Sequence, residues 1–317
     1  MYGFFSRTEL LSNVCKKCFR KVLPRHSRSY TTTKTERTGK GAVKLAFSSF
    51  HQVNAPEKGP PLVIIHGLLG SRRNWESLAK AFSKTGRKVV TVDCRNHGES
   101  PHTEEMDYHV MSQDLQLLLE EMDMDSVVLL GHSMGGKVAM TLALEQPNLV
   151  SKLIVEDVSP DVSRSVETSL LPTYLSALKN IPVNVAGSLA EARRLGHQEL
   201  ASLIPENAVR NFVLTNLEMR DGEIQWKINI DAIMNNLDAL VAFPVFNTCY
   251  MGDTTFIGGA KSQHISAKHM PEIKRLFPEA TVQHIIKAGH WVHSQKPYEF
   301  FNAVIKFLDG KNIYDRT

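Results

Sequence analysis

The spacing of apolar residues changes from segment to segment along this chain. From residue 42 onward, short apolar runs alternate with longer stretches of helical spacing. Residues 62–65 are wholly apolar, which is typical of a strand buried on both faces, and Leu115, Leu118 and Leu119 form a helical stripe. This alternation predicts an α/β fold, a mostly parallel sheet with helices on both faces. The first predicted strands are residues 43–50, 62–65, 88–92, 126–130 and 151–155.

The alternation stops after residue 155. Residues from about 160 to 240 contain helix-like segments and no convincing strand before 223–230, which predicts a mostly helical cap inserted into the sheet. No low-complexity linker divides the chain. We therefore expect a single domain over residues 41–310, a cap at about 160–240 and a short tail at 311–317. The alternation is expected to resume with strands at residues 254–257 and 281–286 and helices at residues 271–277 and 298–308.

The first 40 residues differ in composition from the remainder. They hold ten Lys or Arg residues and two acids, Glu9 and Glu36, and they are rich in Ser and Thr. Apolar residues between Phe4 and Val14 could line one face of a helix. This composition is typical of a mitochondrial presequence. The alternative is a disordered basic tail.

The distribution of charge excludes a nucleic-acid partner, and the length of the apolar runs excludes a membrane span. The net charge of +4 comes from the first 40 residues, so the remainder lacks the clustered basic face of a nucleic-acid-binding protein. No run approaches the roughly 20 apolar residues of a membrane helix, and no membrane span is expected. Cys15 and Cys18 lie in the predicted presequence, whereas Cys94 and Cys249 are expected to be buried thiols.

A Gly-x-Ser-x-Gly motif marks a candidate nucleophile. It reads Gly131-His-Ser133-Met-Gly135, after an apolar strand and before an amphipathic helix. Glycines are needed on both sides because the serine occupies a tight strand-to-helix turn, where larger side chains would collide with neighbouring backbone. The motif in this context predicts that Ser133 is a catalytic nucleophile.

A serine hydroxyl needs a base within hydrogen-bond reach. His290 follows a predicted strand in Ala-Gly-His-Trp, where the glycine allows the loop to approach the end of the sheet. His284 and His293 are better explained as surface or packing residues. We therefore predict His290 as the base.

Hydrolysis through a serine also needs N–H donors for the developing oxyanion. The Met134 N–H follows the nucleophile at a helix start, and the Leu68 N–H lies in the turn His66-Gly-Leu-Leu-Gly70. Both are predicted oxyanion donors.

The acid that orients the histidine is left open among three aspartates. Residues 258–262, which follow the first predicted strand after the cap, contain no carboxylate. Asp157 fits best because it ends the strand after the nucleophile motif, at the sheet edge where catalytic groups collect. Asp231 is the runner-up and Asp253 the third candidate. Asp93 is expected to fix a loop.

These motifs together resemble the α/β-hydrolase-domain-containing proteins, in particular a mitochondrial branch with small-acyl bacterial esterases as distant relatives. The shared segments are His66-Gly-Leu-Leu-Gly, Asp93-x-Arg-Asn-His-Gly-x-Ser, Gly131-His-Ser-Met-Gly-Gly-Lys and Ala288-Gly-His-Trp. The resemblance covers residues 42–310. It implies hydrolysis of lipid-like acyl esters, as by a diacylglycerol lipase with sn-1 preference. It also implies association with the 2-oxoglutarate dehydrogenase complex in the mitochondrial matrix.

Two other functions are possible for a chain with this pattern. Epoxide hydrolases and dehalogenases of this fold use an aspartate where this chain has Ser133. A non-catalytic protein that protects a partner, here the 2-oxoglutarate dehydrogenase complex, remains the alternative. We expect neither cofactor nor metal, because Ser133 and His290 supply nucleophile and base.

Overall fold

A mostly parallel seven-stranded sheet lies at the centre of the computed structural model, which describes residues 41–52, 57–161 and 170–310. The predicted presequence, with Cys15 and Cys18, and the tail at 311–317 lie outside the described residues. The described residues form nine strands: β1 (Phe47–Phe50), β2 (Leu62–Ile65), β3 (Val89–Val92), β4 (Val127–His132), β5 (Val150–Glu156), β6 (Leu217–Arg220), β7 (Glu223–Trp226), β8 (Asp253–Gly259) and β9 (Thr281–Ile285).

The strand order in the large sheet is β1-β3-β2-β4-β5-β8-β9, and only β1 runs antiparallel to its neighbour. Because β4, β5 and β8 are adjacent and parallel, their carboxyl ends share one edge of the sheet. Ser133 follows β4 and Asp157 follows β5, so strand order brings these two positions together. The predicted α/β sheet is confirmed.

Helices cover both faces of this sheet, and alternate residues of β2 show how the core is divided. Val63 and Ile65 pack in one apolar cluster, whereas Leu62 and Ile64 pack in the other. Both sets are fully buried, as expected for a central parallel strand. The described helices are α1 (Glu76–Ser83), α2 (Tyr108–Glu121), α3 (Met134–Glu145), α4 (Leu171–Asn180), α5 (Leu189–Glu199), α6 (Asn207–Leu214), α7 (Ile230–Asn235), α8 (Leu237–Val241), α9 (Met270–Leu276), α10 (Val292–Gln295) and α11 (Pro297–Asp309).

Helices α4 to α8 and a small hairpin lie between β5 and β8, and we call described residues 170–241 the cap. The hairpin pairs β6 with β7 around Asp221 and Gly222, which both have positive φ angles of 53° and 85°. A strand is predicted from residue 223, in agreement with β7, whereas β6 lies in a segment predicted to be helical. The Asp221-Gly222 pair is the local signal for this hairpin.

Two further predictions differ from the structure: the length of the first strand and the burial of Cys249. The first strand spans four residues rather than the eight predicted at 43–50. Cys249 is exposed, so the expectation that it is buried was wrong, whereas Cys94 is buried as expected. Cys249 lies in the loop before β8, and loops between elements run over the surface. Within the described ranges, no helix has the length and apolar character to cross a bilayer.

Candidate active site

Ser133 occupies a sharp turn between β4 and α3. Its φ of 51° and ψ of −116° lie outside the ordinary region for an L-residue. A Cβ at Gly131 would collide with the Gly135 carbonyl, and one at Gly135 would collide with the Ile65 carbonyl. The two glycines of the motif are therefore required by close backbone contacts on both sides of the serine. The Ser133 N–H is held by the Glu156 carbonyl at 3.0 Å.

Ser133, His290 and Asp157 form a continuous hydrogen-bonded chain. The Ser133 Oγ lies 3.1 Å from His290 Nε2, and His290 Nδ1 lies 2.8 Å from Asp157 Oδ2. Asp157 is fully buried, while the His290 side chain keeps 21% of its surface exposed. This is the arrangement in which an imidazole can take a proton from the serine while a carboxylate fixes its tautomer.

His290 is brought to the serine by a short loop after β9. Lys287 adopts a positive φ of 64°, which turns the chain back towards the end of the sheet. The His290 carbonyl accepts a hydrogen bond from His132 Nε2 at 3.0 Å. Because His132 directly precedes the nucleophile, this bond ties the histidine loop to the turn that carries Ser133.

Asp157 is the acid that the fold places beside His290. Its Oδ1 accepts the Gly259 N–H at 2.9 Å, and its Oδ2 accepts the Ser262 hydroxyl at 2.6 Å. Ser262 lies in the segment after β8 that carries no carboxylate. This segment therefore supplies no acid itself and donates hydrogen bonds to the acid that follows the neighbouring strand β5.

The other two candidate acids lie elsewhere. Asp231, the runner-up, is on cap helix α7, where it pairs with Lys179 at 2.5 Å and is 65% exposed. Asp253 begins β8 instead of ending it, so it lies at the opposite sheet edge and pairs with Lys152. Neither aspartate contacts His290.

Burial sets the charge of the histidine. Desolvation, with a smaller effect of His293, lowers the pKa of His290 to about 4. The imidazole is therefore neutral at neutral pH, which is the form that can accept a proton. Burial raises the pKa of Asp157, and the hydrogen bonds from Ser262 and Gly259 act in the opposite direction.

A second carboxylate–histidine pair, which sequence reasoning missed, lies directly behind the first. Glu156 Oε1 accepts the His293 N–H and lies 2.8 Å from His293 Nδ1, and the His293 ring stacks on Trp75 at 4.1 Å. Burial raises the pKa of Glu156 to about 8 and lowers that of His293 to about 3. The pair is therefore neutral at neutral pH. His284, by contrast, is exposed in β9.

Both predicted oxyanion donors border the cavity at Ser133. Leu68 and Met134 line it together with the nucleophile. Met134 is the first residue of α3, so its N–H has no acceptor within the helix. The Leu68 N–H donates to no acceptor among the described residues. Both N–H groups are thus available to a developing oxyanion.

Asp93 holds loops together, in agreement with the role expected for it. Its carboxylate accepts the backbone N–H groups of Arg72 at 2.7 Å and Glu99 at 3.0 Å, and it pairs with the Arg72 guanidinium. Asp93 is buried and does not border the cavity at Ser133.

The cavity at Ser133 has a volume of about 130 Å³ and a lining of mixed polarity. The loops after β5 and β8 supply polar side chains, including Asp161 and Gln263. Lys137 also lines the cavity, and burial lowers the pKa of its ammonium group to about 8. The Lys137 Nζ donates to the Val241 carbonyl at 2.8 Å. The apolar side chains of the lining are those of Leu68, Tyr108, Met134, Val158, Leu171, Leu240 and Val241.

Two groups of side chains have donor atoms close enough to hold a metal ion. They are His132 with Glu156 and His293, and Asp157 with His264 and His290. The hydrogen bonds described above already join Glu156 to His293 and Asp157 to His290. In this structure these atoms form hydrogen-bonded pairs.

Known proteins resemble this chain over most of its length. A family model described as the α/β hydrolase fold matches residues 60–297. A Danio rerio protein named sn-1-specific diacylglycerol lipase ABHD11 is 47% identical over 249 residues, which cover 78% of each chain. A Mus musculus protein of the same name is 42% identical over 261 residues, covering 82% of this chain and 84% of its own.

A solved structure shows the same fold. A marine microorganism esterase superposes with a TM-score of 0.78 at 34% identity. The match covers 84% of this chain and 100% of the esterase.

Proposed function

The chain belongs to the α/β-hydrolase fold family and is a carboxylic ester hydrolase, and we propose that it is a lipase that cleaves diacylglycerol through Ser133, His290 and Asp157. The observation that carries this proposal is the hydrogen-bonded chain from Ser133 Oγ through His290 to Asp157. Its nucleophile borders a cavity whose lining includes several apolar side chains.

The proposed reaction proceeds in two halves. Ser133 Oγ attacks the ester carbonyl while His290 Nε2 takes the hydroxyl proton, and Asp157 stabilises the resulting imidazolium. The Leu68 and Met134 N–H groups bind the oxyanion. His290 then gives its proton to the departing alcohol, which leaves an acyl group on Ser133. A water molecule, deprotonated by His290, attacks this acyl-enzyme, and the fatty acid leaves as Ser133 regains its proton.

Two observations support a diacylglycerol substrate. The relatives from Danio rerio and Mus musculus are named as lipases specific for the sn-1 position. The cavity lining combines apolar side chains, suited to an acyl chain, with polar side chains that could contact a glycerol hydroxyl. We therefore propose cleavage at sn-1, with the acyl chain against the apolar side chains of the lining.

The location of the protein is part of the proposal. The basic, acid-poor residues 1–40 support import into the mitochondrial matrix. Association with the 2-oxoglutarate dehydrogenase complex rests on the family resemblance alone. A fluorescent fusion with and without residues 1–40 tests import: only the full chain should reach mitochondria.

Labelling of the full chain with a fluorophosphonate probe tests the nucleophile. Wild type should be labelled, and Ser133→Ala and His290→Ala should not. Ser159→Ala is the matched control, because Ser159 borders the same cavity and should label like wild type. Absence of labelling in folded wild type would favour the partner-protecting alternative.

A mixed-chain diacylglycerol tests the substrate. With 1-stearoyl-2-arachidonoylglycerol, release of stearate is expected. Release of arachidonate would contradict the sn-1 proposal while leaving ester hydrolysis intact.

A further inference from the structure

The turn that carries the predicted oxyanion donor Leu68 is held in an unfavourable conformation. Leu69, the next residue, has a φ of 60°, in the left-handed region that residues other than glycine, asparagine and aspartate rarely occupy. One bond within the turn, from the Gly70 N–H to the Gly67 carbonyl at 2.9 Å, closes it. A strained turn of this kind keeps its shape only when surrounding groups fix it.

Both polar backbone groups of Leu69 are fixed from outside the turn. Its N–H donates to His97 Nε2 at 3.1 Å, and its carbonyl accepts from Asn216 Nδ2 at 2.8 Å. His97 belongs to the polar loop after β3, whereas Asn216 belongs to the cap. The cap therefore contacts the turn through a hydrogen bond, in addition to covering the cavity.

Asn216 is itself held rigidly. It is 2% exposed, between α6 and β6. Its Nδ2 also donates to the Val213 carbonyl at 3.0 Å, and its own carbonyl accepts the Lys227 N–H at 2.8 Å. One amide hydrogen of Asn216 is therefore bonded within the cap, to the Val213 carbonyl, and the other is bonded to the Leu69 carbonyl of the core. The first bond holds the amide in the orientation that the second requires.

We propose that Asn216 is a positioning residue, through which the cap holds the Leu68 N–H in the orientation needed to bind the oxyanion. Loss of the amide would leave the buried Leu69 carbonyl without its donor. A buried carbonyl without a partner is unfavourable, so the turn would rotate to recover one. That rotation would move the Leu68 N–H. An N–H group stabilises the oxyanion only when it points at the oxygen atom that carries the charge. This inference rests on the proposed serine-hydrolase function.

Asn236, which is less buried than Asn216, offers a control within the same cap. Its Nδ2 donates to a core carbonyl, that of Glu104, at 2.7 Å, and to a cap carbonyl, that of Ala232, at 2.8 Å. It therefore makes the same two kinds of bond as Asn216, but away from the oxyanion turn.

The test compares Asn216→Ala, Asn216→Leu and Asn236→Ala in the full chain, with p-nitrophenyl butyrate as substrate and circular dichroism melts to identify folded protein. Both Asn216 variants should lose kcat by about 10- to 100-fold. The expected KM stays within about twofold of wild type, and Asn236→Ala should keep kcat within about twofold.

The remaining outcomes overturn either the inference about Asn216 or the proposed function. Folded Asn216 variants with wild-type kcat would overturn the inference, and so would an equal loss in Asn236→Ala. Unfolding of both Asn216 variants while Asn236→Ala folds would also overturn it, because Asn216 would then hold the cap as a whole. If wild type fails to hydrolyse the ester, the proposed function fails instead.

Discussion

Two carboxylate–histidine pairs lie close together in this protein, and each joins a carboxylate oxygen to the Nδ1 atom of a histidine. Consecutive residues at the end of β5, Glu156 and Asp157, each meet a histidine of one short segment, His293 and His290, at 2.8 Å. Only the Asp157 pair continues to a serine hydroxyl at a cavity. The Glu156 pair is enclosed beneath Trp75.

This difference shows that a carboxylate–imidazole pair does not define an active site by itself. Glu156 is the last residue of β5, whereas Asp157 follows the strand with a positive φ of 48°. The chain therefore turns between them, and the two carboxylates are directed into different surroundings. We infer that one pair serves the proposed reaction and the other stabilises the fold. The predictions below test that division of roles, starting from the largest expected effect.

Replacing each of the two acids by its amide should give the largest difference in kcat between the two pairs. Asp157→Asn should lower kcat about 10³- to 10⁴-fold, because an amide favours the wrong imidazole tautomer. Glu156→Gln should keep kcat within roughly tenfold, because no reacting atom contacts Glu156. Steady-state kinetics on folded protein measures both, and an equal loss in both variants would remove the distinction.

The histidines should show the reverse pattern in stability. His293→Ala should lower the free energy of unfolding by about 3 kcal/mol, because it removes a buried partner of Glu156 and the packing on Trp75. His290→Ala should lower it by less than about 1 kcal/mol, because its ring is partly exposed at the cavity. Urea unfolding followed by circular dichroism gives both values. A larger loss for His290→Ala would contradict the comparison.

Removal of the Ser262 hydroxyl should weaken the Asp157 pair without abolishing it. A hydrogen bond to a charged group contributes about 1.5 to 3 kcal/mol, so Ser262→Ala should reduce kcat by about 10- to 100-fold. Ser266→Ala is the control, because Ser266 bonds to His269 in the same segment. No change in the Ser262→Ala variant would show that Gly259 alone suffices to hold the acid.

The pH dependence of stability should identify the enclosed pair. The pKa of Glu156 is raised to about 8 in the folded protein from its ordinary 4.5, so between these values the folded state binds more protons than the unfolded state. Stability therefore falls as pH rises through that window, by roughly 1 kcal/mol per pH unit. Below pH 6.5 the lowered pKa of His293 opposes this trend.

The window from about pH 7 to 8 is thus the one to measure. Wild type should lose stability there in urea titrations, and Glu156→Gln should lose less. Parallel curves for the two proteins would show that Glu156 is ionised in the folded state at neutral pH.

Much of the fold and part of the site could be predicted from local sequence. The run at 62–65 predicts a buried central strand because four consecutive apolar residues need cover on both faces. The Ser133 turn is encoded by five consecutive residues, whose glycines admit close backbone contacts. Strand β6 was missed because the hairpin is short and its strands carry charged residues such as Glu218 and Arg220.

By itself, the sequence determined the parallel sheet, the serine at its strand-to-helix turn and the histidine near the end of the chain. Only the tertiary structure decided which aspartate meets that histidine, because Asp157 and His290 are 133 residues apart. Strand order settled the choice: it brings Asp157 to the His290 edge and leaves Asp253 at the opposite one. The Glu156–His293 pair and the Asn216 bond to the oxyanion turn likewise depend on contacts between distant segments, which a pattern of neighbouring residues does not contain.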